Sequence, residues 1–454
     1  MDKVKGDLTE LMKMIYLPIG VPTFHMPSAQ ALFEKSKTLL ASFHEDLIAP
    51  DEMLLSISLL ESFIKDKHVD LVIVQNITFA NSAYMTTILK HLKSPVLHWT
   101  LREPVIDGGR LRLNSLTGAF SAGYAFAHMR EDHLLTLIGS PDEDHVKTYL
   151  KQVISAIQVK NKMAKMNLLV IGNTPEGFGF GRALDLDIAN AFGVNLKTIE
   201  AREFMQIAQN FKDDEVIAEK NLAEKKMLGL NQIDQKNQTD FVKLFKAYQD
   251  YIDQHQIQAI ASRCWPDFFT EYKTPVCGVL GLLNDRKIVA ACEADAYGAL
   301  SMYVGQELSD KPTYLGDPVS INEEENTITF WHCGTAACSL ARQDTGAMTG
   351  VHPNRKIGPT MEFGLKASKE ATLFRIGRRP DGTFRFFIAS AEILDKPQQF
   401  LGTSVVVKVE QDVHPMIEEL VQEGWEPHFV VVYGNIKEEL IVLGKLLNMD
   451  SYIY

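Results

Sequence analysis

Four apolar runs of four or five residues, at 14–17, 71–74, 96–99 and 134–138, are separated by longer amphipathic stretches through the first 165 residues. Alternation of this kind implies a parallel α/β sheet, because parallel neighbours need a crossover segment between them. The pattern starts afresh at 166–172, after a lysine-rich helix ending near Lys165, and continues through 259–262 and 276–279 as a second α/β layer. Within it, 213–240 is rich in Glu, Lys and Gln and reads as solvent-facing helix. From about Pro318 the rhythm changes to short strands and turns, at 327–330, 371–376, 384–388 and 404–409. Asp381-Gly382, between two of these runs, is a hairpin signal. The expectation is an α/β chain of three domains. Two Rossmann-like α/β domains, 1–165 and 166–317, precede a C-terminal antiparallel β-barrel-like domain, 318–454, with a helix around 416–423.

Length agrees, since 454 residues make about three domains at ~150 residues each. A net charge of −12 and a pI near 5.6 argue against nucleic acid or an anionic membrane as partner, because both require a basic surface. A small-molecule substrate fits this balance better. No apolar stretch reaches the ~18 residues of a membrane span, and residues 1–7 carry no leader-like apolar region, so the expected compartment is the cytoplasm. The five cysteines, Cys264, Cys277, Cys292, Cys333 and Cys338, are odd in number and form no CxxC pair. Neither a disulfide framework nor a four-cysteine zinc site follows, and reduced, mostly buried thiols are expected.

Three separated segments carry the chemistry: Cys292-Glu293-Ala294-Asp295, Leu315-Gly316-Asp317-Pro318 and Pro427-His428-Phe429. Glu293 follows an apolar run that reads as a buried strand end, and Asp317 precedes a proline expected to stop strand pairing. His428 opens the β-branched and aromatic run 429–433, ended by Gly434-Asn435. Two carboxylates and an imidazole converging from three element edges would suit a hard-to-borderline divalent cation, with room left for substrate.

Other segments are candidates for the rim. Glu176-Gly177-Phe178-Gly179-Phe180-Gly181-Arg182 lacks the GxGxxG spacing and the lysine of a phosphate loop, so it reads as a glycine-rich turn shaping a substrate mouth. The 108–118 segment places Arg110 and Asn114 beside the pair Gly108-Gly109, where backbone can approach a ligand. Arg263 and Trp265 follow the strand 259–262, at the end where α/β sheets bind ligands. Arg355 lies in the polar loop 352–359, bounded by Gly and Pro. His332 either touches substrate or is a satisfied core histidine. Cys333 beside it is not expected to form a dyad, because neighbours in a strand face opposite ways.

The run from Leu101-Arg102-Glu103-Pro104 through Asn114-Ser115-Leu116, taken with Glu293, Asp317 and the segment from Pro427-His428-Phe429 to Tyr433-Gly434-Asn435, resembles the L-fucose isomerase and L-arabinose isomerase family. These are metal-dependent aldose-ketose isomerases. The resemblance runs in order over most of the chain, although this chain is shorter than a typical fucose isomerase. It implies that Glu293, Asp317 and His428 hold a metal ion, Mn²⁺ by preference with Co²⁺ or Mg²⁺ able to substitute. It also implies that both carboxylates transfer protons, and that the site lies where the second and third domains meet, often closed by a neighbouring subunit of a homo-oligomer. Aldose-ketose exchange needs a proton moved from C2 to C1 through a cis-enediolate, whose charge a divalent cation stabilises. The implied substrates are L-fucose and D-arabinose. Relatives of this fold isomerise sulfoquinovose to 6-deoxy-6-sulfofructose, and the arginines near the expected mouth, Arg102, Arg110, Arg182, Arg263 and Arg355, would suit its sulfonate. Two other classes remain open: a non-catalytic sugar-binding protein and a metal-dependent hydrolase.

Overall fold

Each apolar run of the N-terminal stretch is a strand in the computed structural model, which describes residues 12–44 and 46–454. The amino-terminal segment read for a leader, residues 1–7, lies outside them. The described residues fall into two compact units, 12–160 with Ile441–Asn448 and Asn161–Leu440 with Met449–Tyr454.

In the first unit, strands β1 (Met14–Ile19), β2 (Leu47–Ile48), β3 (Leu71–Asn76), β4 (Val96–Thr100) and β5 (Leu135–Ile138) form a parallel sheet of order β2-β1-β3-β4-β5. β1, β3 and β4 are buried along their whole length, as central strands covered on both faces must be. Ile15, Leu17, Val72 and Val74 pack with Tyr84, Ile88 and Phe126 from the helices Ser82–His91 and Ser115–Met129.

The second unit opens with another parallel sheet, of order β7-β6-β8-β9, built from β6 (Asn167–Ile171), β7 (Asn195–Ile199), β8 (Ala259–Ser262) and β9 (Val289–Ala291). The apolar run 276–279 is no strand: it leads into the helix Cys277–Asp285, buried on almost every side. Continuous apolar character marks burial, and burial alone does not choose between helix and strand. The charged stretch 213–240 is helical over Ile217–Lys226 and Gln235–His255, with one short 3₁₀ turn, Leu230–Gln232, between them.

A large mixed sheet follows, from β10 (Tyr314–Asn322), β11 (Thr327–His332), β14 (Phe363–Gly364), β15 (Ser368–Arg378), β16 (Phe384–Ile393), β17 (Thr403–Val409), β18 (Phe429–Tyr433) and β19 (Asp450–Ile453). Two short strands, β12 (Thr349–Gly350) and β13 (Thr360–Met361), pair separately. The large sheet has the order β14-β17-β11-β10-β18-β15-β16-β19, and β16 also pairs with β17. Asp381-Gly382 turns β15 into β16, with Gly382 at φ +88°, as the hairpin signal required.

Pro318 does not end its strand. Pairing of β10 with β18 stops at Gly316, but pairing with β11 continues through Pro318 to Asn322, with a register shift between Pro318 and Ser320. A missing N–H removes a donor from one edge only, so proline is tolerated where the other edge keeps the ladder. Asp317 therefore sits inside a strand rather than at its end.

One continuous core joins the sheets of this unit, from Leu169 and Ile260 through Phe245 to Phe387 and Val431. The helix Ala296–Ser309 is buried from Ala296 to Gln306 and touches β8, β9, β15 and β18. Its N-terminus is where the candidate ligands meet.

Candidate functional site

β9 delivers Glu293 through a tight turn. Glu293 and Ala294 both take left-handed backbone, φ +59° and +55°. Two consecutive non-glycine residues in that region are costly, at about 1–3 kcal/mol each, and such strain concentrates at functional sites. The turn is held by Ala294 N–H donating to Ser262 O (3.0 Å) and Asp295 N–H donating to Cys292 O (3.1 Å). Asp295 then caps the helix Ala296–Ser309, its Oδ1 accepting from Gly298 N–H at 2.8 Å.

The fully buried Asp295 carboxylate does more than cap. Arg375, from the middle of β15, donates to both its oxygens at 2.6 and 3.1 Å, and His428 Nδ1 donates to Oδ2 at 2.9 Å. Burial works to raise the Asp295 carboxyl, but the Arg375 guanidinium and His428 override it and hold it well below the usual carboxylate range. A carboxylate that takes Nδ1–H fixes the tautomer of His428 and aims Nε2 the other way.

That Nε2 faces Glu293 Oε2 at 3.0 Å and Asp317 Oδ1 at 3.3 Å. It is buried and has no partner in hydrogen-bond geometry. Opposed to burial, which would lower it, contacts with Asp295, Glu293 and Asp317 push the His428 imidazole up to about 10. An imidazole nitrogen wedged between two carboxylates must share either a proton or a cation with them. Burial tends to raise Glu293, and His428 and His332 bring it below its ordinary value; for Asp317 burial prevails and the carboxyl is raised. Trp265 Nε1 donates to Glu293 Oε1 at 3.2 Å, steadying the carboxylate.

His332, the last residue of β11, joins this group: Glu293, His332 and His428 each offer a ligand atom within 4.8 Å of the others. Its Nδ1 accepts from Cys333 N–H at 2.8 Å and lies 3.2 Å from Cys333 Sγ, while its Nε2 is buried with no hydrogen-bond partner. The expectation that His332 and Cys333 face apart is therefore corrected. β11 ends at His332, so the alternation of strand side chains no longer applies at Cys333. Although burial would lower it, His332 is pushed up to about 9, with Cys333, Asp317 and Glu293 as causes. Two carboxylates and two imidazoles, with two imidazole nitrogens buried and unpartnered, fit a divalent cation of hard-to-borderline character.

Around this centre lies a cavity of about 240 Å³, lined in part by Glu293, Asp317, His332, Trp265, Asn354 and Arg355. The glycine-rich turn after β6 supplies an aromatic wall: Phe180 packs edge-on against His428 with ring centroids 5.2 Å apart, and Phe178 against Trp265 at 5.7 Å. Gly181 permits this approach, because a Cβ there would meet Asp295 Cα at 2.8 Å. Arg263 is neutralised by Asp267 at 2.6 Å and does not line the cavity. Arg110 and Asn114 belong to the N-terminal unit. There Arg110 donates to Thr23 O, and Asn114 Oδ1 accepts from Thr117 Oγ1 at 2.7 Å.

No family model matches the chain. Over 442 residues the chain is 53% identical to the sulfoquinovose isomerase of Clostridium sp. (strain MSTE9), an alignment covering 97% of this chain and 99% of that protein. It is 38% identical over 445 residues to the sulfoquinovose isomerase of Priestia aryabhattai, covering 97% and 99% of the two chains. The figures for the sulfoquinovose isomerase of Alkalicoccus urumqiensis are 38% over 442 residues, covering 97% and 98%. The chain belongs to the sulfoquinovose isomerase family.

Arg375 is absent from the expected site, while Asp295 is expected there only as part of the segment 292–295 and Phe180 only as part of the glycine-rich turn. Arg375 interrupts the apolar run 371–376, and a lone charge inside a strand that is otherwise buried asks for a buried partner. Asp295 carries the capping signal, an aspartate directly before a helix. Phe180 bears no signal of its own. The sequence leaves His332 between core and substrate contact, and only its neighbours in space place it beside Glu293 and His428.

Proposed function

We propose that this isomerase converts the aldose sulfoquinovose to the ketose 6-deoxy-6-sulfofructose, by proton transfer between C2 and C1 through a cis-enediolate. The observation that carries the reading is His428 Nε2, fixed in tautomer by Asp295 and directed at Glu293 and Asp317. Such an arrangement exceeds what sugar binding alone requires. The names of relatives aligned over nearly the whole chain support the choice of sugar.

Glu293, Asp317 and His428, with His332 beside them, would hold the cation, Mn²⁺ by preference with Co²⁺ or Mg²⁺ as substitutes. When bound, it supplies an electrophile for the carbonyl and neighbouring hydroxyl oxygens of the open-chain sugar. One of Glu293 and Asp317 takes the C2 proton and returns it at C1. Trp265 orients Glu293, and Phe178 and Phe180 shield the site from water. Trp265 and Arg355 contact the sugar from the cavity wall; Arg263, Arg110 and Asn114 remain proposed contributors to its binding.

The proposed enzyme has three domains, divided at about 165 and 317. The circuit of antiparallel pairings β17-β11-β10-β18-β15-β16, returning to β17, supports a barrel-like last domain. Five free, buried cysteines support a reducing compartment, the cytoplasm. No helix among the described residues is long and apolar enough to cross a membrane. The family resemblance implies a homo-oligomer.

The test follows Mn²⁺-loaded protein with sulfoquinovose, L-fucose, D-arabinose, L-arabinose and L-rhamnose by NMR in D2O. Sulfoquinovose should convert to its ketose with solvent deuterium at C1, and Glu293→Gln or Asp317→Asn should each lower the rate by at least ~10²- to 10⁴-fold with the fold intact. Near-normal turnover by either variant rejects the assignment. Hydrolysis of an ester or amide without exchange at C2 would favour the hydrolase instead.

A further inference from the structure

We infer that Arg355 recognises the sulfonate of the substrate, and that buried His352 shapes the loop presenting it; the inference rests on the sulfoquinovose reading above. Among the residues lining the cavity, Arg355 is the sole Lys or Arg, and the carboxylates Glu293 and Asp317 line the same space. Sulfoquinovose carries its reacting carbons at one end and its anion at the other, so a cation that shares the cavity with these carboxylates but forms no ion pair with them matches the molecule's own polarity.

The other arginines named as possible clamps are engaged elsewhere or lie off this wall. Arg102 pairs with Glu143, Arg110 donates to Thr23 O, Arg263 pairs with Asp267, and Arg182 does not line the cavity. Arg355 pairs with no carboxylate among the described residues. Its guanidinium instead rests by the rings of Trp265 and Phe269, 5.8 and 5.9 Å from their centroids. Cation–π attraction of this kind holds the guanidinium near the rings without using its N–H groups. A sulfonate is ionised at every physiological pH and offers three acceptor oxygens, which a permanent, forked cation suits.

The loop is built to hold that position. β12 and β13 pair at its base through Thr349 with Met361 and Gly350 with Thr360. Inside the loop, His352 Nδ1 accepts from the N–H groups of both Asn354 and Arg355, each at 3.3 Å. His352 N–H donates to Ile357 O at 2.9 Å and its carbonyl accepts from Lys356 N–H at 2.8 Å. The same ring packs edge-on against Phe269, centroids 4.8 Å apart. One buried side chain thus ties the backbone at Arg355 to the aromatic ring beside its guanidinium. His352 lines the same cavity and acts on the sulfonate through Arg355, as a positioning residue.

The experiment compares wild type, Arg355→Gln, Arg355→Lys and His352→Ala on sulfoquinovose and on 6-deoxy-D-glucose, which lacks the sulfonate. Steady-state kinetics are paired with calorimetric binding of each sugar to metal-loaded protein. Arg355→Gln should raise KM and Kd for sulfoquinovose about 10- to 100-fold, and those for 6-deoxy-D-glucose at least about tenfold less than that. Arg355→Lys should recover part of the loss, and His352→Ala should raise KM for the sulfonate sugar alone. Equal losses on both sugars, or unchanged sulfoquinovose affinity in Arg355→Gln, overturn the inference. A wild type that binds sulfoquinovose but isomerises neither sugar removes the isomerase reading, and the Kd comparison still decides Arg355. A wild type that binds no sulfoquinovose overturns both.

Discussion

His428 shows how a single side chain acquires its role from two contacts in opposite directions. Asp295 holds Nδ1–H, so Nε2 meets Glu293 and Asp317. Without a cation, His428 is raised to about 10, so a proton occupies the shared position throughout the neutral range. On the proposed reading a cation at Nε2 would displace that proton, and apparent Mn²⁺ affinity should rise about tenfold per pH unit from pH 6 to 8 for one proton released. Titration calorimetry in buffers of different ionisation enthalpy checks this; affinity independent of pH would exclude Nε2 as a ligand. His428→Ala should bind the ion more weakly and with a flatter pH dependence. Asp295 belongs with Arg375, both fully buried. Asp295→Ala strands an uncompensated guanidinium in the core and should cost about 3–5 kcal/mol of stability by denaturant unfolding. Since the Asp295 carboxyl is depressed in the folded protein, its contribution is present above the unfolded value of about 3.9 and is lost as pH falls through the lower folded value. Glu293, Asp317 and His428 were legible in the sequence because each interrupts or borders an apolar run. Asp295 and Arg375 each carry a local signal, a helix cap and a charge inside an apolar run, but their pairing across 80 residues has no local signature.

Two turns bring the elements to the centre. One is the left-handed pair Glu293-Ala294 between β9 and the helix Ala296–Ser309, which swings Glu293 towards β10 and β18 and leaves Asp295 at the cap. The other is the glycine-rich turn after β6, whose Phe178 and Phe180 close on Trp265 and His428 only because Gly181 has no side chain. Gly181→Ala would place a methyl 2.8 Å from Asp295 Cα, which is backbone and cannot rotate away. We expect a loss of about 1–3 kcal/mol in thermal stability together with reduced metal content by elemental analysis. A variant with wild-type values in both would show that this turn yields freely. The strands around the site followed the apolar pattern well. Its errors have local physical causes: the run 276–279 is buried helix, and Pro318 loses pairing on one edge of β10 while keeping it on the other.

At the scale of the molecule, the helix Ser115–Met129 turns Leu116, Phe120 and Tyr124 outward, 52%, 76% and 67% exposed, at a spacing that sets them along one face. A stripe of large apolar side chains left to water suits contact with another copy of the chain. Phe120→Glu should therefore give a smaller species than the wild type in light scattering after gel filtration; an equal mass for the two sinks this contact. The class of fold follows from the order of residues along the chain, because strand and helix periodicities, the hairpin at Asp381-Gly382 and the buried central strands are local consequences of which residues are adjacent. That order also marked three of the residues that converge on the centre. Which nitrogen of His428 faces the carboxylates, that His332 stands beside them, and that Arg355 shares their cavity were decided only by the tertiary structure. These depend on distances between side chains brought together from β9, β10, β11, β18 and the loop between β12 and β13, and no short-range pattern encodes a distance between segments so far apart in the chain.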